Sequence, residues 1–109
     1  MNLYPAEVER VLLDHADVED AVVIGVRDHE MGEKVCALVV PAPGAAVDVA
    51  ALTDFCVRRL SRLKAPRHIH LLAELPRITM GKANRRKIRE EFEPIVLAAM
   101  EAQEAPTHV

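Results

Sequence analysis

The chain has 109 residues, one domain's worth of protein, and at that length folding buries roughly two-thirds of the unfolded surface without metal or disulfide staples. Half the residues are hydrophobic but only three are aromatic, so Val, Leu, Ile and Ala must fill the core. That composition argues against an aromatic-lined pocket for a flat cofactor and against the stacking platforms of single-strand nucleic-acid binders. The net charge is −3, yet residues 58 to 89 hold eleven basic residues against one acid, Glu74. Such asymmetry points to an anionic partner (a phosphate-bearing ligand, nucleic acid or an acidic protein face) or to a set of solvated helix faces.

No basic-then-apolar leader opens the sequence, and no apolar run approaches the ~20 residues of a membrane span, which makes the cytoplasm the default compartment. Cys36 and Cys56 lie far apart inside apolar runs, outside any Cys-x-x-Cys pair, and are expected as buried reduced thiols.

Pro5 followed by Glu7 and Glu9 predicts a helix start, with Val8, Val11 and Leu12 on one face and an end near His15. Residues 18 to 26 are rich in β-branched side chains and predict a strand, and Asp28 to Glu33 predicts a turn. Val35 to Val40 is nearly all apolar and predicts a second strand, stopped by Pro41-Ala42-Pro43-Gly44. A second helix is expected from about Val49 to Leu60, with Leu52, Phe55, Cys56 and Leu60 inward. A basic connector at 61 to 67 then leads to a short strand, Ile69 to Leu72. Leu75 to Lys82 contains Pro76 and Gly81 and predicts a surface loop. A third helix from Asn84 buries Ile88 and Phe92; Pro94 is expected to interrupt it, leaving residues 94–109 as a helical extension and frayed tail beyond a domain at 1–93. The fold class is α+β, a small three-stranded sheet flanked by about three helices in the order α-β-β-α-β-α. The pattern does not show which helices share a face.

A Gly-Lys pair alone is weak evidence, and Gly81-Lys82 is no phosphate-cradling P-loop: the earlier glycine is missing and Ala83 follows the lysine. It does place a mobile point charge beside a flexible glycine, suited to a phosphate or carboxylate. His68 and His70 alternate on a strand with no carboxylate or cysteine at ligand spacing, so exposed strand histidines are expected and no metal site. Glu7 and Glu9 read as helix-start charges, and Arg85-Arg86-Lys87 as a solvated helix face.

Four segments in order carry more weight: Asn2-Leu3-Tyr4-Pro5-Ala6-Glu7-Val8-Glu9, Gly25-Val26-Arg27-Asp28 leading to Gly32-Glu33, Leu63-Lys64-Ala65-Pro66-Arg67, and Leu75-Pro76-Arg77 through Gly81-Lys82. Over residues 2 to about 92 this series closely resembles the C-terminal domain of the adenylate-forming enzymes, the acyl-CoA and aryl-CoA ligases and their relatives. The resemblance implies a lid that closes over a large N-terminal domain binding ATP, magnesium and a carboxylic acid, with coenzyme A as thiol acceptor. By the same resemblance Lys82 is the catalytic lysine of the adenylation step, stabilising charge gathered at the α-phosphorus. Gly25, Met31, Gly32 and Glu33 would line the passage for the pantetheine arm, while Leu63, Arg67 and Gly81 would contribute to cofactor binding. Ala65 stands where an arginine can appear, and Leu63 and Met31 replace aromatics. Lys64-Ala65-Pro66 departs from the Tyr-Met-Val/Ile-Pro usual in peptide-synthetase domains, which favours an acyl- or aryl-CoA ligase. The resemblance begins just past the family's hinge, so the lid is expected to be inactive without its large partner domain. The competing readings are a stand-alone binding or regulatory module of the same fold, a peptide-synthetase fragment, and a nucleic-acid binder using the basic half. Scarce aromatics and the lack of a nucleic-acid motif count against the last.

Overall fold

A computed structural model describes residues 5–28, 32–75 and 82–104. Six elements follow one another: α1 (Pro5–Leu13), β1 (Val18–Asp28), β2 (Gly32–Pro41), α2 (Val49–Leu60), β3 (His68–Leu71) and α3 (Lys82–Glu104). The strands form one mixed sheet in the order β1-β2-β3, with β1 and β2 antiparallel and β2 and β3 parallel. The antiparallel pair closes as a hairpin, whereas the parallel pair needs a crossover, which α2 supplies.

The sheet is covered on both faces. Side chains alternate along a strand, so Ala21 and Val23 of β1, Ala37 and Val39 of β2, and Ile69 of β3 meet Val8 and Leu12 of α1 and Leu52 and Cys56 of α2. The intervening Ile24, Val26, Cys36 and Leu38 meet Ile88, Phe92, Val96 and Met100 of α3. Helices α1 and α2 thus share one face and α3 has the other. Buried on both sides, the central strand β2 has no polar face to show, which accounts for its continuous apolar run. Cys36 and Cys56 are buried free thiols, as the sequence leads one to expect.

Local chemistry sets the element ends. Pro5 fits the first turn of α1, where its missing N–H is not needed. The Asp48 side chain caps α2 by accepting from the Ala50 and Ala51 N–H groups at 3.0 and 3.2 Å. The His15 ring meets Phe55 of α2 edge-on at 4.8 Å, and the Arg59 guanidinium lies 4.2 Å from the centroid of the same Phe55 ring.

The structure corrects several expectations. α1 ends at Leu13, before His15, while β1 continues to Asp28 and β2 begins at Gly32, so Asp28, Gly32 and Glu33 are strand residues and not turn residues. β3 is shifted one residue early, to His68–Leu71. His68 is 8 % exposed, buried rather than exposed, since it pairs beside the fully buried Cys36 of the central strand. Helix α3 is continuous through Pro94 rather than interrupted there. Proline removes one intrahelical bond, but Pro94 and Glu90, whose carbonyl loses its partner, are both exposed to solvent, and Val96 and Met100 beyond them are buried with Ile88 and Phe92.

Candidate functional site

Of the residues singled out from sequence, Gly25, Gly32, Glu33, Leu63, Arg67 and Lys82 lie within the described residues, whereas Met31 and Gly81 lie outside them. Gly25 is buried inside β1, opposite Val35. It is therefore a strand residue and not part of a loop. Arg67 arrives from the other side of β2: its N–H donates to the Val35 carbonyl at 2.8 Å. Gly25 and Arg67 consequently flank the same β2 residue, about two strand spacings or ~10 Å apart.

Gly32 opens β2 opposite Asp28 with a φ of +83°. A Cβ built there would meet nothing within 4 Å, so glycine is needed for the backbone conformation and not for space. Next to it, Glu33 pairs with Arg27 across the ladder, and its carboxylate stands 3.6 Å from the Arg89 guanidinium of α3.

Leu63 sits on the turn between α2 and β3 and is 94 % exposed. The turn is anchored at both ends. Ser61 has φ 124° and ψ 163°, a region that side-chain-bearing residues rarely occupy, at a cost of about 1–3 kcal/mol. It is held there by donating to the Val57 carbonyl at 3.0 Å and by accepting the Ala65 N–H at 3.0 Å and, on its Oγ, the Lys64 N–H at 3.4 Å. Ala65 and Pro66 are buried, fixing the exit from the turn, and the Lys64 ammonium reaches Glu7 of α1 at 3.3 Å. An exposed leucine on a strained, well-anchored turn, flanked by Arg62 and Lys64, can offer an apolar contact beside positive charge.

Lys82 is the first residue of α3, two residues earlier in the helix than the sequence suggests, and Arg85, Arg86 and Lys87 follow within its first two turns. No acid occurs in the first turn. Cations at a helix N-terminus oppose the macrodipole, so this end is electrostatically costly for folding and attractive to an anion. Arg86 and Lys87 are exposed, as expected, and Arg86 makes an i,i+4 contact with Glu90 at 3.9 Å.

Sequence reasoning missed two carboxylates. Glu9, read as a helix-start charge, accepts the Val23 N–H at 2.7 Å, and Glu93 accepts the Arg27 N–H at 2.9 Å. Both hold the outer edge of β1 from helices on opposite faces. No local pattern signals such long-range contacts. Among the described residues no group of three or more His, Cys, Asp or Glu is placed to hold a metal ion. His68 and His70 lie side by side with ring centroids 6.1 Å apart. No described helix is long and apolar enough to cross a membrane.

The site residues thus sit on a mixed three-stranded sheet between a helix pair and one long helix, with Lys82 as that helix's first residue. Residues 7–82 match the family described as the AMP-binding enzyme C-terminal domain, and the chain belongs to that family. It is 47 % identical over 88 residues to 2-succinylbenzoate–CoA ligase of Geobacillus kaustophilus, covering 81 % of this chain and 18 % of the relative. It is 42 % identical over 91 residues to the fatty acid–[acyl-carrier-protein] ligase ScoC of Streptomyces coeruleorubidus, covering 84 % and 18 %. Among solved structures, the amide bond synthetase McbA from Marinactinospora thermotolerans superposes with a TM-score of 0.74 at 40 % identity, over 84 % of this chain and 18 % of that one. The chain thus spans less than a fifth of the length of these relatives.

Proposed function

We propose that this chain is the lid of an ATP-dependent acyl- or aryl-CoA ligase and acts only with a large N-terminal adenylation domain, in cis or in trans. The large domain binds most of the ATP, its magnesium and the carboxylic acid. The lid supplies Lys82, whose ammonium stabilises negative charge gathering as the carboxylate attacks the α-phosphorus. Gly25, Met31, Gly32 and Glu33 line the pantetheine passage, and Leu63, Arg67 and Gly81 complete the cofactor contacts. One observation carries the reading: the family match ends on Lys82, the residue that opens α3 in a crowd of basic neighbours.

The test is complementation. Added to a relative's adenylation domain stripped of its own lid, the chain should restore hydroxamate formation from acid, ATP and hydroxylamine. Lys82→Ala should lower the restored rate by about a hundredfold or more. Equal activity of wild type and Lys82→Ala removes the lysine's role, and failure of the wild type to restore activity removes the lid reading in favour of a stand-alone module. The likeness to ScoC supports a second acceptor, a carrier-protein thiol. Offering the complemented enzyme coenzyme A and a phosphopantetheinylated carrier protein in turn distinguishes the two.

A further inference from the structure

We propose that Glu93 and Arg89 of α3 are positioning residues for thiol transfer, gripping the β1–β2 hairpin so that it and Lys82 swing as one body. The proposal rests on the reading of the hairpin as a wall of the thiol passage, but its geometry stands independently. Arg27 and Glu33 face each other across the ladder, one rung below the last described pair, Asp28 and Gly32. Helix α3 takes hold of both members of that rung. Glu93 accepts the Arg27 backbone N–H at 2.9 Å, and Arg89 places its guanidinium 3.6 Å from the Glu33 carboxylate. The two helix residues are four apart, one turn, and so lie on one side of α3.

Both contacts lie at the surface, and three features strengthen the hold on the strand. Glu93 bonds to backbone, so it senses where the strand is and not which side chain it carries. The bond is charge-assisted, the stronger class of hydrogen bond. Beneath it, Ile88 and Phe92 pack with Ile24 and Val26, so strand and helix are tied together by a shared core. At 1.5 Å of rise per residue, the first residue of α3 lies about 10 Å along the axis from Arg89. The lid thereby keeps its adenylation lysine and its thiol-passage hairpin at a fixed separation, and one rotation that withdraws the first sets the place of the second.

The experiment compares wild type, Glu93→Ala and Glu93→Gln in two measurements. In the 109-residue chain itself, amide hydrogen exchange at Arg27 should quicken about tenfold or more in Glu93→Ala. Glu93→Gln, which keeps an acceptor oxygen, should restore the wild-type rate. In the complemented enzyme, Glu93→Ala should raise the KM for the thiol acceptor and slow thioester formation from preformed acyl-adenylate about tenfold, with hydroxamate formation unchanged. Glu93→Gln should again rescue. Arg27 exchange or thioester kinetics unchanged in Glu93→Ala, or a glutamine variant that fails to rescue, overturns the grip while leaving the lid reading intact. A wild-type chain that supports no thioester formation overturns both.

Discussion

The two faces of the sheet differ in what their helices do. On one face, α1 and α2 bury Val8, Leu12, Leu52 and Cys56 against the strands, and their charged contacts, Lys64 with Glu7 and Arg59 with Asp14 at 3.7 Å, are about half exposed. Exposed pairs of that kind contribute little, and Arg89 with Glu33 on the other face, 43 % and 31 % exposed, is only somewhat better covered. On the other face, α3 buries Ile88, Phe92, Val96 and Met100, yet spends its first turns on cations and its middle on a hold of the hairpin. The first face is chosen largely by packing, although Glu9 of α1 also holds the Val23 N–H from it. The second carries residues that packing alone would not select, and local electrostatic cost of that kind is where function is expected to sit.

The comparison can be broken by mutation. Phe92→Ala should cost about 3–5 kcal/mol in chemical denaturation, because the ring anchors α3, and the surviving folded fraction should also transfer to thiol more slowly. Leu52→Ala should cost about 2–5 kcal/mol, but its folded fraction should keep full catalytic rate in the complemented enzyme. Equal catalytic damage per folded molecule in both variants would abolish the distinction between the faces.

A smaller effect separates the faces by pH, since each buries one thiol. Burial pushes the Cys36 thiol up to about 12, with a smaller contribution in the same direction from the Glu93 carboxylate, against a partial lowering by Lys34. Cys56 is raised to about 11 by burial. In the unfolded chain both ionise near the ordinary value of 9.0. The stability they contribute is complete below that value and falls as pH rises, by about a kcal/mol per pH unit per thiol, until about 11 for Cys56 and about 12 for Cys36. Urea titrations from pH 8 upward should show this loss, and Cys56→Ala should remove only the part that ends earlier. The smallest effect is at the α2 cap, where Asp48→Ala should cost about 1 kcal/mol in the same titrations and leave catalysis alone.

Much of the fold is legible in the residues because local chemistry decides it. β-branched runs mark β1 and β2, the apolar stripe of Leu52, Phe55, Cys56 and Leu60 marks α2, and the motif series reveals the family. What escaped depends on contacts between distant segments. Pro94 reads as a break because sequence shows the lost hydrogen bond but not that Val96 and Met100 rejoin the core beyond it. His68 reads as exposed because nothing local announces that it pairs beside the buried Cys36 of β2. Of the candidate site, the residue types and their order were visible. That Gly25 and Arg67 flank one β2 residue was not, nor that Glu9 and Glu93 reach the edge of β1, since those contacts span 14 and 66 positions of the chain.

The two carboxylates on β1 have a consequence for the company the domain keeps. A sheet that ends in an eleven-residue strand normally offers a docking rail to any passing extended peptide. Here two of the donor groups along that rail, at Val23 and Arg27, are already occupied by negatively charged oxygens, which turn away an incoming backbone both by saturation and by repelling its carbonyls. The domain is in this way spared from recruiting strands along its open flank.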